Sequence, residues 1–482
     1  MEKRIGKSEI LFWFICLGLG IIAEESFFYG MVGISYIVFV LIFYSVFFLR
    51  FRRFPFSYQR IGYLLMICIW LLSASFFLCD NIFFYMLNIL VIPSLMIFHL
   101  LLVTGPKRMD WYTPKFIIYA YSKIFEAVKY NVTFIGTCIK FLKKGTNENK
   151  FKVLKKIIIG ILISLPILII VLTLLISADS QFAQLIGDLP KWINHIYSEN
   201  LIRFFIILIY TFVFFGFLQA LITKNMSVSQ LGQKKLRYQM DGIVALTVLI
   251  LLNSVYLLFT IVQFKYFFSG SLAGSFTYAQ YARRGFFELL FVTVLNISVV
   301  NTVLYFVRYA LKRFTQFILS LLIILSGVML YSAFLRLFMY EEAYGFTFIR
   351  VLVHSFMLFL ALIFAYTFIK IWLEKLSLFH FYFITAIIYY TLINVVDLDR
   401  VVVKENMVRY EQTGKIDLQY MNSLSYTGVL SLIDLYHKNQ NVKGLKEILQ
   451  ERKKETLTEV HSWQSFNLER QQVYDELKKC SL

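Results

Sequence analysis

The chain has 482 residues, of which 59% are hydrophobic and only 16% are charged, whereas soluble domains hold about 25% charged residues. This composition excludes a soluble globular domain and indicates a membrane protein. The formal net charge is +19. We attribute it to Lys and Arg in cytoplasmic loops and expect no binding to nucleic acid.

Apolar runs of about 20 residues recur along the chain, and each is long enough to cross a hydrocarbon core of about 30 Å. The sequence therefore predicts an all-α fold, a polytopic transmembrane helix bundle of about eleven spans, with ten or twelve left open. The spans lie near residues 9–28, 31–49, 61–79, 82–103, 157–177, 201–222, 242–263, 286–307, 315–338, 346–369 and 377–396.

The orientation follows from the loops that carry Lys and Arg. Basic loops such as "RFRRFPFSYQR" and "RYALKRF" alternate with acidic ones such as the one holding Glu341 and Glu342. We therefore place the N-terminus in the cytoplasm and, for an odd number of spans, the C-terminus outside. The first apolar run lacks a small-residue cleavage site, so we expect it to be retained in a multi-pass protein of a bacterial cytoplasmic membrane.

Four parts are predicted: residues 1–103 with four spans, a basic connector at 104–156, a seven-helix core at 157–396 and a helical tail at 397–482. In the connector, apolar residues recur at helical spacing against lysines, which predicts an amphipathic helix on the inner leaflet. An ordinary positive-inside connector is the alternative. The lysines expected to meet anionic lipid headgroups are Lys115, Lys123, Lys129, Lys143 and Lys144.

The tail holds 13 basic and 13 acidic residues, a neutral balance that fits an extracytoplasmic location. Gly414 is predicted to stop one helix, and Asp417 to cap the next, over 418–438. Residues 439–441 are predicted to form a turn, and two further helices follow. We expect a small helical domain docked on the outer membrane face, with a surface for a protein partner.

The segment "SAFLRLFMYEEAYGFTFIR" at 332–350 places four charges between two apolar runs. It predicts an external turn at 340–345, with an arginine about one helical turn away on each side. Further polar patches at 177–192 and 276–288 lie on the same face. Together they predict an anion or lipid site at Arg283, Arg284, Arg336 and Arg350, with Asp179, Glu288, Glu341 and Glu342 as pairing acids. The alternative is that the arginines only anchor helix ends.

The sequence carries no phosphate-binding loop, zinc-type His-Glu pair or nucleophile elbow, and its five cysteines show no metal or redox spacing. We therefore predict no catalytic residue, cofactor or metal. An enzyme whose carboxylates are scattered over loops stays open, because such sites leave no local pattern.

Five segments carry a resemblance to a known family: "SADSQFA", "YAQYARRGFFELL", "RLFMYEEAYGFTFIR", "NMVRYEQTGKIDLQYMNSLS" and "WQSFNLERQQVYDEL". In this order they resemble the landmarks of a bacterial polytopic membrane protein family of unknown function, common in Gram-positive bacteria. Family members often carry Asp-Ala where this chain has Tyr426 and Thr427, so no role for an acid there is carried over. The resemblance implies a fold and a membrane location but no activity.

Three hypotheses follow. The first is a non-enzymatic membrane module that senses or regulates at the cell envelope through its tail and its arginine-rich face. The second is a transporter or lipid flippase, which predicts an internal repeat or helices broken by Gly or Pro. The third is an envelope-lipid enzyme, which requires Asp179, Asp188, Glu288, Glu341 and Glu342 to converge on one cleft.

Overall fold

A computed structural model describes residues 7–28, 30–107, 109–142, 199–222, 241–268, 286–306, 312–373, 375–458 and 462–480, together with the single residues 160, 164, 171 and 175. Within these ranges every regular element is a helix and no strand occurs. The predicted all-α class is therefore confirmed.

In the part of the chain that the structure describes, eleven helices with defined bounds precede the tail. They are α1 (Lys7–Phe28), α2 (Ile34–Arg50), α3 (Gln59–Leu78), α4 (Ile82–Thr104), α5 (Pro114–Leu142), α6 (Glu199–Ile222), α7 (Gly242–Phe268), α8 (Phe286–Phe306), α9 (Lys312–Tyr344), α10 (Phe348–Trp372) and α11 (Leu378–Val395). Among the described residues, all of these except α2 and α5 are long and apolar enough to cross a membrane, which makes nine candidate spans, and α2 is a shorter apolar helix. Of the predicted span at 157–177, the structure describes only residues 160, 164, 171 and 175. The chain is a multi-pass membrane protein.

The charged hairpin differs from its prediction in one respect. Helix α9 continues through Glu341 and Glu342 to Tyr344, so the predicted turn at 340–345 is wrong and the true turn is shorter. Gly345 ends the helix because it adopts a left-handed φ of 86°, and its N–H donates to the Glu341 carbonyl at 2.7 Å. Glycine adopts this conformation without steric cost, which makes it the usual residue after a helix end.

Contacts group the chain into two units: residues 1–77, 90–231 and 461–466 form the first, and residues 78–89, 232–460 and 467–482 form the second. In the first unit, α1 packs closely against α6 at Gly20, where an added Cβ would lie 2.7 Å from the Ile207 carbonyl. Helix α5 also packs against α6, where the buried ring of Phe215 lies between Phe134 of α5 and Phe12 of α1. Close helix packing of this kind needs small residues at the contact.

In the second unit the membrane core lies around α9. Leu319, Leu322, Ala333 and Leu337 are fully buried along one side of α9, since separations of three, four and eleven residues return to the same face of a helix. Side chains of α7, α8 and α10 cover this face. Helix α9 is therefore the central helix of this unit.

The tail forms five α-helices: α12 (Leu398–Thr413), α13 (Leu418–Ser423), α14 (Tyr426–Lys438), α15 (Leu445–Thr458) and α16 (Leu468–Lys479). Two predictions are confirmed, since Gly414 caps α12 in a left-handed conformation and Asp417 accepts from the Tyr420 N–H. The single helix predicted over 418–438 is wrong, because the chain is extended at Leu424 and divides it into α13 and α14.

The tail has a hydrophobic core of its own. Its buried members come from all five tail helices and include Val403, Met421, Leu432, Leu449 and Leu477. Gly428 lies directly against the Met421 carbonyl, a contact that any Cβ would prevent. This core holds α12 to α16 together as one body. Helices α12, α14 and α16 therefore present one common surface to the ends of α4 and α11.

Candidate site where the tail meets the membrane helices

The tail is attached to the hairpin turn by hydrogen bonds to its backbone. The Asn406 side-chain amide on α12 donates to the Phe346 carbonyl at 2.8 Å and accepts from the Phe346 N–H at 3.0 Å. Arg409 donates to the Ala343 carbonyl at 3.0 Å, and the Phe348 N–H donates to the Tyr420 hydroxyl at 2.8 Å. These contacts satisfy backbone groups left without partners at the end of α9 and the start of α10.

Three carboxylates lie beside this attachment. Asp397 and Asp399 open α12, directly after the candidate span α11, and Glu469 lies in the first turn of α16. Asp399 is 2% exposed and Glu469 is 4% exposed. Helix N-termini favour an anion by roughly 0.3–1 kcal/mol, which offsets only part of the cost of taking a carboxylate out of water.

One hydroxyl serves two of these carboxylates. The Thr427 Oγ1 atom on α14 lies 2.8 Å from Asp397 Oδ2 and 3.1 Å from Glu469 Oε1. A hydroxyl has a single proton and donates one strong hydrogen bond at a time. When both carboxylates are ionised, one of them therefore lacks a full partner, and a proton on either carboxyl supplies the missing hydrogen bond.

The other groups around the carboxylates compensate them incompletely. Arg400 approaches Asp397 at 3.6 Å and Glu469 at 3.9 Å, but its side chain is 70% exposed. Asn81, at the start of α4, donates to Asp399 Oδ2 at 2.9 Å, and the Asp80 N–H donates to Glu469 Oε2 at 3.3 Å. The site thus joins the start of α4, the end of α11 and three tail helices.

Burial sets the protonation behaviour of the site. Burial, and after it the neighbouring Asp397 charge, raise the pKa of Glu469 to about 7 against the lowering effects of the Thr427 hydroxyl, the Asp80 N–H and Arg400. Burial also raises the pKa of Asp399 above its ordinary value. Carboxyl groups usually titrate near 4, so the Glu469 carboxyl changes its charge in a pH range where an exposed glutamate stays ionised.

Below the carboxylates, a buried polar contact continues into the membrane helices. Asn88 on α4 donates to the Asn394 side-chain oxygen on α11 at 2.8 Å and accepts from the Tyr390 hydroxyl at 2.7 Å. Both asparagines are buried. Amide pairs between spans stabilise helix association because their alternative is an unsatisfied group in hydrocarbon.

Of the predicted arginine site, the structure describes Arg336 and Arg350. Arg336 is buried on α9 and donates to Gln263 Oε1 at 2.7 Å, and Ser332 donates to the same oxygen at 3.1 Å. Arg350 on α10 donates to the Gly345 carbonyl at 2.5 Å and lies over the Tyr340 ring at 4.2 Å. Arg283 and Arg284 lie outside the described residues, so their convergence stays a prediction.

The predicted pairing acids have different environments. Glu341 is 1% exposed, and its Oε2 lies 3.0 Å from His354 Nδ1. Glu342 and Glu288 are exposed, and Asp179 lies outside the described residues, as does Asp188. The convergence of acids that an envelope-lipid enzyme requires therefore stays a prediction. In the described part of the chain, no group of three or more His, Cys, Asp or Glu has the geometry of a metal site.

The connector contains a helix, α5, as predicted, and its place on the inner leaflet stays a prediction. Lys115 and Lys129 are exposed, but Lys123 is 3% exposed. Its ammonium contacts Glu126 at 2.7 Å and the Ala220 carbonyl at 2.9 Å. Lys123 thus joins α5 to α6, and it is not one of the lysines available to lipid headgroups. The last two predicted lysines, Lys143 and Lys144, lie outside the described residues.

The sequence patterns assign no role to Asp397, Asp399, Glu469 or Asn81, and they single out Thr427 only as a departure from the family's usual Asp-Ala. A signal was present, because Glu469 lies within the landmark "WQSFNLERQQVYDEL" and two acids flank Leu398 at the end of a span. The sequence did not show that these segments meet in space.

A family model described as "Domain of unknown function (DUF4153)" matches residues 66–435, well over half of the chain. The chain belongs to the DUF4153 family. The matched range includes the hairpin, Asp397, Asp399 and Thr427, whereas Glu469 lies beyond it. No curated protein and no solved structure matches the chain. Membership of the DUF4153 family therefore brings no activity, and the function has to be argued from the site.

Proposed function

We propose that this membrane protein is a non-enzymatic sensing or regulatory module of the bacterial cell envelope, and that protonation of its buried carboxylates controls the docking of the tail. The observation that carries the proposal is the hydroxyl of Thr427 shared between Asp397 and Glu469. Two carboxylates that share one donor hold a proton more tightly than exposed ones, since like charges in one site disfavour double ionisation.

The position of the site supports a regulatory role. Glu469 contacts α14 through Thr427 and the backbone before α4 through Asp80. A second charge there repels Asp397 across a contact between a tail helix and the ends of membrane helices. Protonation therefore favours the docked tail, and ionisation loosens it. Such a switch needs a local charge change and an element that responds to it.

Hydrogen exchange of the full-length protein in lipid nanodiscs tests this role between pH 5.5 and pH 8.5, after correction for the intrinsic exchange rate. Protection of the α14 and α16 amides is expected to increase as the pH falls, with a midpoint near 7. The variant Glu469→Gln is expected to hold high protection at every pH, because its side chain is neutral. Asp475→Asn is the matched control, since Asp475 is an exposed acid on the same helix.

The outcomes separate clearly. Protection that is indifferent to pH in the wild type contradicts the proposal, as does a Glu469→Gln variant that keeps the wild-type midpoint. A wild-type midpoint near 7 that is abolished in Glu469→Gln and kept in Asp475→Asn supports it.

A second candidate function is transport or flipping of an anionic lipid, and buried Arg336 favours it. An ionisable residue within a span is costly and marks functional sites in membrane proteins. Native mass spectrometry of the mildly extracted protein tests this role against an Arg336→Ala, Arg350→Ala double variant, with Arg313→Ala as control because Arg313 is an exposed arginine near the start of α9. A retained anionic lipid that only the double variant loses supports a ligand site. Lipid retention that is equal in all three proteins supports helix anchoring.

A further inference from the structure

Helix α5 carries three separate faces. One face is buried: Phe116 packs against the Phe98 ring of α4, and Lys123 contacts the Ala220 carbonyl of α6. A second face is polar and contains the exposed Lys115 and Lys129. The third is an apolar strip of five exposed residues, Ile117, Tyr121, Ile124, Phe125 and Val128, with exposed fractions of 59, 62, 49, 74 and 41%.

The strip follows one side of the helix. Its members are separated by three or four residues, so at 100° per residue they fall within about a third of the circumference. No charged residue occurs among them. Five neighbouring exposed apolar side chains on a membrane protein need to be covered, either by lipid acyl chains or by another protein surface.

The contacts with α6 show how α5 is oriented. Lys123 contacts the Ala220 carbonyl at 2.9 Å, and Asn131 donates to the Phe212 carbonyl at 2.8 Å. From the first contact to the second, the residue number increases by eight on α5 and decreases by eight on α6. The helices are therefore antiparallel and lie lengthwise against each other over at least two turns, with Gly216 allowing close approach to the Ala127 carbonyl between them.

Lys123 lies level with the last turn of α6. The Ala220 carbonyl belongs to the last turn of α6, which ends at Ile222. Carbonyls in the last turn of a helix lack intrahelical partners, and a cation there is favoured by the helix dipole. Lys123 therefore caps α6 at its end, and Asn131 lies further along toward the middle of α6.

We propose that α5 stands inside the bilayer beside α6 and that its apolar strip faces the acyl chains. The reason is that α6 is a candidate span, and a helix that follows it lengthwise enters the same hydrocarbon. The exposed Phe205, Ile209 and Val213 of α6 offer acyl chains a surface of the same kind. The sequence alone predicted a helix lying flat on the inner leaflet, and the lengthwise contact argues for an upright one.

The two orientations differ in depth. The rise from Ile117 to Val128 is about 16 Å along a helix axis. In an upright helix the depth below the headgroups therefore increases steadily from Ile117 through Ile124 to Val128. In a flat helix the three positions lie at one shallow depth, about 5–10 Å into the boundary.

Depth-dependent fluorescence quenching distinguishes these cases. Ile117→Cys, Ile124→Cys and Val128→Cys are made singly in a full-length parent in which the five native cysteines are replaced by alanine and whose gel filtration matches the wild type. Each is labelled with a small fluorophore and reconstituted into phosphatidylcholine vesicles. The vesicles carry nitroxides at defined acyl positions. Val213→Cys on α6 is the control for depth.

We expect the quenching depth to increase by more than about 10 Å from position 117 to position 128, from the helix rise, and position 213 to match position 128. Equal shallow depths at positions 117, 124 and 128 would overturn the proposal in favour of a flat helix. Quenching of position 124 or 128 by aqueous iodide would overturn it in favour of a water-facing surface. These results are independent of the pH response of the tail.

Discussion

The two units each bury carboxylates, but they compensate them differently. In the first unit, Arg203 binds Glu24 through two hydrogen bonds of 2.6 and 3.1 Å and binds Glu25 at 3.0 Å. In the second unit, Asp397 and Glu469 share one hydroxyl, and Arg400 reaches them only at 3.6 and 3.9 Å. One set of acids has a closely bound cation, and the other has a distant one.

The difference separates a structural role from a responsive one. A bidentate guanidinium fixes a carboxylate in its ionised form and holds its geometry. A buried carboxylate without such a cation lowers its charge by taking up a proton. Burial alone therefore does not identify a switch, and the distance and exposure of the nearest cation decide between the two roles.

The largest effect is expected from Arg203→Ala. Glu24 is only 2% exposed, so removing the guanidinium leaves a buried charge without its ion-pair partner and lowers the free energy of unfolding by about 3 kcal/mol. The unfolding midpoint of the purified protein in detergent measures this loss. Lys479→Ala is the control, because the Lys479–Glu476 pair is exposed, and its midpoint should stay that of the wild type. Equal midpoints for both variants contradict the structural role of Arg203.

The second effect concerns Glu469→Gln and has a definite sign. The pKa of Glu469 is about 7 in the folded protein, whereas the ordinary value of 4.5 applies to the unfolded chain. The folded state therefore binds the proton more tightly. Its contribution to stability is complete below pH 4.5 and is lost as the pH rises through 7. We therefore expect Glu469→Gln to be more stable than the wild type at pH 8 by about 2 kcal/mol.

The measurement is the difference between the unfolding free energies of the two proteins from pH 5 to pH 8.5. A difference that does not change with pH contradicts the raised pKa of Glu469, and a difference that increases with pH supports it.

The sequence predicted the helices better than the site, for a physical reason. Membrane crossing requires about 20 consecutive apolar residues, a local pattern, and helix ends such as Gly414 and Asp417 follow from local backbone needs. The acid site instead joins residues far apart in the chain, and the contact between Asp80 and Glu469 alone spans 389 positions. No local pattern encodes such a contact.

The hairpin shows the same limit at short range. Arg336 and Arg350 were placed by sequence at the correct helices, but the partners shown by the structure are Gln263 and the Gly345 carbonyl. Gln263 lies on α7, one of several helices that cover α9, and hydropathy does not reveal which residue of a neighbouring helix faces a buried arginine.

A third variant, Asp397→Asn, tests the like-charge interaction directly. Asp397 raises the pKa of Glu469, so removing its charge should lower the pH midpoint of hydrogen exchange in α16 by about one unit, a usual size for a neighbouring charge. Asp475→Asn should leave the midpoint unchanged, since Asp475 is exposed on the outer side of the same helix. An unchanged midpoint in Asp397→Asn contradicts electrostatic coupling between the two carboxylates.

The smallest effect is expected from Thr427→Val, which removes the shared hydroxyl while keeping the shape of the side chain. The hydroxyl lowers the pKa of Glu469, so its loss should move the midpoint to higher pH by a few tenths of a unit, since a neutral hydrogen bond contributes only about 1 kcal/mol. Thr427→Ser keeps the hydroxyl and should keep the midpoint. A shift to lower pH in Thr427→Val contradicts donation from the hydroxyl to the ionised Glu469, because it means that the hydroxyl stabilises the protonated carboxyl instead.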